Sequence, residues 1–284
     1  MAKPPTNIAA SVRQRLLNLA RQEQRLFNVV LVSYGLERVI YRLSISTHAD
    51  KFILKGGMLV TLWTLDHGRF TRDVDFLGFG ASESDRLITT FKEILAFDAH
   101  DGLAFDVDGL AAAPIREDQK YGGIRLKTIA FLGTTEIPIT IDVGFGDAIT
   151  DPSYMIEYAS QLDLPTAKIR AYSPATVIAE KFQAVVALGL INGRMKDFYD
   201  LWAIPQGAKI NSADLDAAIK ATFERRNTSV PRQRPDGLTV AFAEQKSAQW
   251  RAYAQSISLE NIELGVVVEA IWAWLEPSCR RLTK

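Results

Sequence analysis

"KFILKGGMLVTLWTLDHGRFTRDVDFLGF", residues 51–79, places an apolar run, two glycines, a second apolar run and two aspartates one residue apart in a single short stretch. The first run reads as a strand, and Gly56 and Gly57 free the backbone to turn sharply after it. Met58, Leu62 and Leu65 then recur at helical spacing and are expected to form the inward stripe of a helix. In the strand that follows, successive side chains alternate faces. Asp73 and Asp75 therefore project from one face with Cα atoms roughly 6.7 Å apart, while Val74 and Phe76 point the other way. Side by side in a partly dry site, two carboxylates repel. A hard cation such as Mg²⁺ (or Mn²⁺), which takes oxygen ligands and is often completed by substrate phosphates, relieves that repulsion. Backbone amides at the glycine turn would meet a phosphate where the helix starts. Against this, Asp-x-Asp arises by chance, and Asp106 and Asp108 in "FDVDG" form a second copy expected to be a solvated strand end.

A third acid bears on the same site. In "EIPITIDVGFG", Ile137, Ile139, Ile141 and Val143 alternate, which leaves Asp142 on the opposite face with Thr140. If this strand neighbours that of Asp75, three carboxylates meet, as in sites that hold two metal ions about 4 Å apart. The competing reading is a strand-end aspartate bonded to the turn at Gly144 to Gly146.

Outward from this stretch, the chain alternates helix, sheet and helix. Ile8, Val12, Leu16 and Leu19, and then Leu36, Val39, Ile40 and Leu43, predict two amphipathic helices before Ser46. From Phe52 to about Phe145, short β-rich runs predict a largely antiparallel or mixed sheet, with one helix over 82–96 and Ser82 and Asp85 as its capping box. Two runs flanking "LGTTE" predict a hairpin. Ser173 followed by Pro174 opens a helix, and further helices are expected over 195–203, 212–225, 240–255 and 262–275. The expected fold class is α+β, a mixed sheet with flanking helices followed by a helical C-terminal domain, divided at 1–165 and 166–284.

At 284 residues and 48% apolar side chains the chain can bury one large core or two modest ones. Lys plus Arg equals Asp plus Glu at 33 each, so net charge draws it to neither nucleic acid nor acidic lipid, and any polyanion site is local. The single cysteine, Cys279, has no internal partner, no signal-peptide segment opens the sequence, and no run resembles a membrane span. Cytoplasmic location without membrane association is the expectation.

The helical half carries two further signals. In "SPATVIAEKFQAVVALG", Val177, Ile178, Phe182, Val185 and Leu188 cover one arc with Lys181 near its middle and Glu180 and Gln183 outside it. A lysine there snorkels to an edge or meets an anion, and an incoming triphosphate is one such anion. In "GRMKDFYDLW", Met195, Phe198, Tyr199, Leu201 and Trp202 make an apolar arc with Asp197 at its border; Lys196 and Asp200 are expected to face outward. Asp197 is thus the acid placed to reach Lys181.

Taken together, "LKGGMLVTLW…RFTRDVDF", "SPATVIAEKFQAVVALG" and "RMKDFYDLW" resemble the AbiEii/MenT nucleotidyltransferase toxins, related in fold to DNA polymerase β. The resemblance runs from about Phe52 to Trp202. It implies a minimal nucleotidyltransferase core followed by a helical domain closing a cleft for NTP and Mg²⁺. It further implies that Gly56 and Gly57 are nucleotide-loop residues, Asp73 and Asp75 metal ligands, Lys181 the phosphate-contacting lysine and Asp197 the acid paired with it. Arg72 and Lys55 would add positive charge, and Asp142 fits the place of the third carboxylate. Many nucleotidyltransferases carry Gly-Ser where this chain carries Gly-Gly, so backbone amides must serve without a serine hydroxyl.

The activity so implied is transfer of NMP from an NTP to an acceptor, the 3′ end of tRNA in members of the resembled family, with a separately encoded winged-helix antitoxin as partner. Local support for RNA is confined to the basic loop "ERRNTSVPRQRPDG" with Arg225, Arg226, Arg232 and Arg234. The alternatives are transfer to a protein or small-molecule hydroxyl, a metal-dependent nuclease, and a nucleotide-binding module without turnover.

Overall fold

The computed structural model describes residues 7–64, 69–80, 82–115, 122–259 and 262–284. The described residues fall into two compact units, one comprising those within 7–58, 70–146 and 153–171, the other those within 59–69, 147–152 and 172–284.

The first unit opens with the two expected helices, α1 (Ile8–Gln22) and α2 (Phe27–Ser44). Asn7 starts α1 by accepting a hydrogen bond from the Ala10 amide at 3.0 Å, as N-cap side chains do. The strands are β1 (Phe52–Lys55), β2 (Val74–Gly78), β3 (Leu103–Phe105), β4 (Ala111–Ile115), β5 (Gly123–Leu132) and β6 (Thr135–Phe145). They form one sheet in the order β1-β2-β6-β5-β3, with β4 also paired to β5. The β2–β6 pair is parallel and the others antiparallel, so the sheet is mixed.

The β5–β6 hairpin turns at Gly133, whose φ of 62° is the left-handed conformation a tight turn needs. Helix α2 packs on β6 so closely that a Cβ added at Gly35 would lie 2.6 Å from Ile139 Cδ1. Across the sheet, Phe52 and Phe76 meet Phe91 of α4 (Ser84–Leu95), with ring centroids 5.2 to 6.3 Å apart.

Several expectations change here. Helix α4 begins at Ser84 with Glu83 as N-cap and no side-chain capping bond, so Ser82 and Asp85 form no capping box. The helix after the glycines, α3 (Gly57–Trp63), buries Met58, Leu59 and Val60, whereas Leu62 is exposed; Leu65 lies outside the described residues. An unforeseen two-stranded antiparallel sheet pairs β7 (Met155–Tyr158) with β8 (Ala167–Arg170).

Sequence spacing also gave no sign of a buried ion cluster. Asp101 accepts hydrogen bonds from Arg38 at 2.8 Å and from Arg42 at 2.6 and 3.0 Å. Burial alone would raise the Asp101 pKa, but the two guanidinium groups outweigh it and lower it. Tyr34 donates to the Asp101 carbonyl at 2.7 Å, tying α2 to the β3 approach.

The second unit is helical: α5 (Pro174–Leu188), α6 (Met195–Gly207), α7 (Ser212–Arg225), α8 (Val240–Ser256) and α9 (Leu264–Leu282). Ser173 caps α5 by accepting from the Thr176 amide at 3.3 Å. Helices α6 and α9 run past their expected ends, each through an internal proline, Pro205 and Pro277. The stretch 174–191 is, contrary to expectation, long and apolar enough to cross a membrane by composition. It is mostly buried, packed against α6 and α7 as a core helix, with Phe182 and Phe223 rings 5.4 Å apart. Gln183, expected outside the buried arc, is also buried, donating to Thr228 Oγ1 at 2.8 Å.

Candidate active site

In the first unit, strand pairing aligns four charged residues in one row across the sheet. Lys55 of β1 lies opposite Asp75 of β2, Asp75 opposite Asp142 of β6, and Asp142 opposite Arg125 of β5. Directly paired residues share a face. The row therefore reads cation, anion, anion, cation on one side of the sheet. Parallel strands lie about 4.8 Å apart, a spacing at which like charges directly opposite destabilise each other unless a cation offsets them.

Asp73 stands just before β2, and its carboxylate accepts from Thr71 Oγ1 at 2.7 Å. Gly56, at φ 71°, sits against Asp75: a Cβ there would fall 2.0 Å from Oδ2 and 2.8 Å from Cβ of the aspartate. No other residue type leaves the carboxylate that space.

Asp142 is thus brought beside Asp75, as the third-acid expectation requires, but both its oxygens are engaged. Arg125, which sequence reading passed over, donates to them from Nε at 2.8 Å and Nη2 at 2.6 Å. The hydrogen bond to Asp142, and then the fields of Asp142, Asp73 and Asp75, raise the Arg125 pKa against a smaller opposing effect of burial. The signal was present in sequence: the hairpin turn fixes register, and stepping back along both arms from Leu132 and Thr135 puts Arg125 opposite Asp142. The turn at Gly144 to Gly146, the competing partner, does not hold this carboxylate.

Among the described residues, no three acidic, histidine or cysteine side chains gather as a ready-made metal site. The donor chemistry nonetheless fits one divalent cation. Asp73 and Asp75 offer hard oxygen ligands, both near enough to act on the Arg125 charge, and the adjacent strand repeats a negative charge that already draws a guanidinium. Lys55 is half-buried beside the glycines, and Arg72 is exposed with its guanidinium 5.6 Å from the Phe70 ring centroid.

In the second unit a buried charge network surrounds Lys181. Its ammonium donates to Asp197 at 2.7 Å and lies 2.7 Å from Asp200. Asp200 was expected to face outward, but it is fully buried and binds Arg69 through two bonds of 2.9 and 3.0 Å. Helix α6 turns two acids, three residues apart, toward α5, which a wheel centred on its aromatic arc does not show. Arg194 adds an ion pair to Asp197 at 2.6 Å. Burial opposes the charge on Lys181, yet Asp197 and Asp200 overcome it and raise the pKa. For Asp200, burial is outweighed by Lys181 and Arg69, and the pKa falls.

The four loop arginines divide. Arg226 reaches Glu180 at 2.9 Å, Gln183 at 2.9 Å and Asp147 at 3.7 Å, while Arg234 holds Glu269 through bonds of 2.6 and 2.8 Å. Arg225 and Arg232 are exposed. Asp106 is the expected strand-end residue, accepting from the Gly109 amide at 2.9 Å.

Residues 38–276 match the family model described as "Nucleotidyl transferase AbiEii toxin, Type IV TA system". Among solved structures, the chain is similar to a candidate nucleotidyltransferase from H. pylori at 15% identity and a TM-score of 0.47, covering 89% of this chain and 96% of that one. It is also similar to JHP933 from Helicobacter pylori at 14% identity and a TM-score of 0.44, covering 89% and 93%. No curated protein gives a significant match.

Proposed function

We propose a reaction from one premise: the chain belongs to the AbiEii nucleotidyl transferase toxin family of type IV toxin–antitoxin systems and is a nucleotidyltransferase. The reaction transfers a nucleoside monophosphate from an NTP to the 3′ end of tRNA. The terminal hydroxyl oxygen bonds to the α-phosphorus, the α–β phosphoanhydride bond breaks, and pyrophosphate leaves. A capped 3′ end accepts no amino acid, so translation stops in the cytoplasm until an antitoxin of the winged-helix type neutralises the toxin.

The observation that carries this reading is the close approach of Gly56 to Asp75 beside the Asp75–Asp142 strand pair. A Mg²⁺ or Mn²⁺ ion on Asp73 and Asp75, when bound, would neutralise charge developing on the transferring phosphate. Amides at Gly56 and Gly57 approach the nucleotide with no side chain in the way. Lys55 and Arg72 add positive charge near those ligands. In the second unit, Lys181, kept charged by Asp197 and Asp200, is the candidate point charge for a phosphate. For RNA, the contact falls to Arg225 and Arg232, the two loop arginines that are exposed.

Incubating the protein with bulk tRNA, Mg²⁺ and each α-labelled NTP tests the reading. Label on tRNA that disappears in Asp73→Ala/Asp75→Ala is the expected result. Label on protein or a small molecule instead moves the acceptor, and shortened RNA without label marks a nuclease.

A further inference from the structure

Asp142 stands where a third metal ligand would, but its chemistry is already spent. Both oxygens accept from Arg125, at 2.8 and 2.6 Å, in a bidentate charge-assisted pair. The Asp142 side chain is 12% exposed and that of Arg125 40%, so the carboxylate is the anchor and the guanidinium the part that meets solvent. Arginine stays protonated at any working pH, and its five N–H donors exceed the ones Asp142 takes. Arg125 is therefore a permanent, positioned positive charge in the same cross-strand row as Asp75. A dication bound to Asp142 would have to break this pair and sit against the guanidinium.

From this geometry we infer that Arg125 takes the place of a second metal ion in the nucleotide site, contacting the NTP phosphates, and that the site holds a single divalent ion on Asp73 and Asp75. The inference rests on the nucleotidyltransferase reading. It departs from the two-ion arrangement, in which a third acid holds the second metal.

The test is titration of the full chain with Mn²⁺ alone, followed by electron paramagnetic resonance, and separately with a non-hydrolysable NTP analogue by calorimetry. The expected stoichiometry is one Mn²⁺ per chain, with affinity changed less than twofold in Asp142→Asn. In Arg125→Gln, where Asp142 is released, a second Mn²⁺ should appear and analogue affinity should fall at least tenfold. Arg125→Lys should recover part of that affinity through its charge. Circular dichroism and the urea midpoint establish that each variant folds. Two ions in the wild type, tenfold weaker Mn²⁺ binding in Asp142→Asn, or unchanged analogue affinity in Arg125→Gln would overturn the inference. Wild-type Mn²⁺ binding in Asp73→Asn would instead sink the underlying active-site reading.

Discussion

A Cβ placed on Gly56 would lie 2.0 Å from Oδ2 of Asp75. The glycine also holds φ at 71°, a conformation that side chains rarely adopt. Gly56→Ala must therefore displace the Asp75 carboxylate as well as strain the turn. We expect transfer to fall by about 100-fold, the scale of a 1 Å misplacement of a reacting group, and stability by about 1–3 kcal/mol. Label incorporation and urea unfolding on one preparation separate the two effects.

Asp200 holds both Arg69 and Lys181 in a fully buried site. Asp200→Ala leaves two cations sharing fewer carboxylates, and breaking a buried pair costs about 3–5 kcal/mol. Lys196→Ala, an exposed position on the same helix, should stay within about 0.5 kcal/mol of wild type. Equal urea midpoints for the two variants would contradict the buried network.

Glu37, on α2, is 3% exposed; burial raises its pKa above the ordinary 4.5 despite bonds from Ser160 and Gln161 and the charge of Arg38. A raised carboxyl pKa means that the folded state binds the proton more tightly than the unfolded one. The resulting penalty is absent below about pH 4.5 and grows as pH rises to the folded pKa. Glu37→Gln, whose amide oxygen can still accept from the Gln161 amide, should raise the Tm at pH 7 and have little effect at pH 4. Thermal unfolding across that range measures it. Asp101 has the opposite sign: its lowered pKa adds stability at neutral pH that is lost as pH falls below about 3.8 and through the folded value.

Charge reversal at Arg225 and Arg232 should weaken tRNA binding and reduce the slope of log K against log salt by roughly 1–2 units. Arg226→Ala should act on stability instead, because its guanidinium joins Glu180, Gln183 and Asp147. Filter binding over a salt series, beside unfolding curves, distinguishes these outcomes. A tRNA affinity indifferent to the double reversal would remove the loop from the RNA interface.

Features set by neighbours in sequence were readable without coordinates. The Ser173 cap, the helix Ser212–Arg225 and the turn between Leu132 and Thr135 depend on residues a few positions apart. Periodicity likewise put Lys181 on a buried arc and Asp142 on the face away from the alternating isoleucines. Two misread residues show the limit. Asp200 reads as solvent-facing on its own helix, and only Arg69, 131 residues away, and Lys181 reveal why it is buried. Leu62 has helical spacing yet is exposed, because the buried face of α3 runs through Met58, Leu59 and Val60.

The sequence by itself determined the succession of helices, mixed sheet and helices apart from β7 and β8, the glycine turn before an Asp-x-Asp strand, and the hairpin register that sets Arg125 opposite Asp142. All of these follow from backbone rules acting over short spans. Only the tertiary structure decided that β2 lies parallel to β6, so that Asp75 neighbours Asp142, and that Arg69 and Lys181 share Asp200. Strand order and buried ion pairing depend on which distant surfaces exclude water together, and no local pattern along the chain encodes that choice.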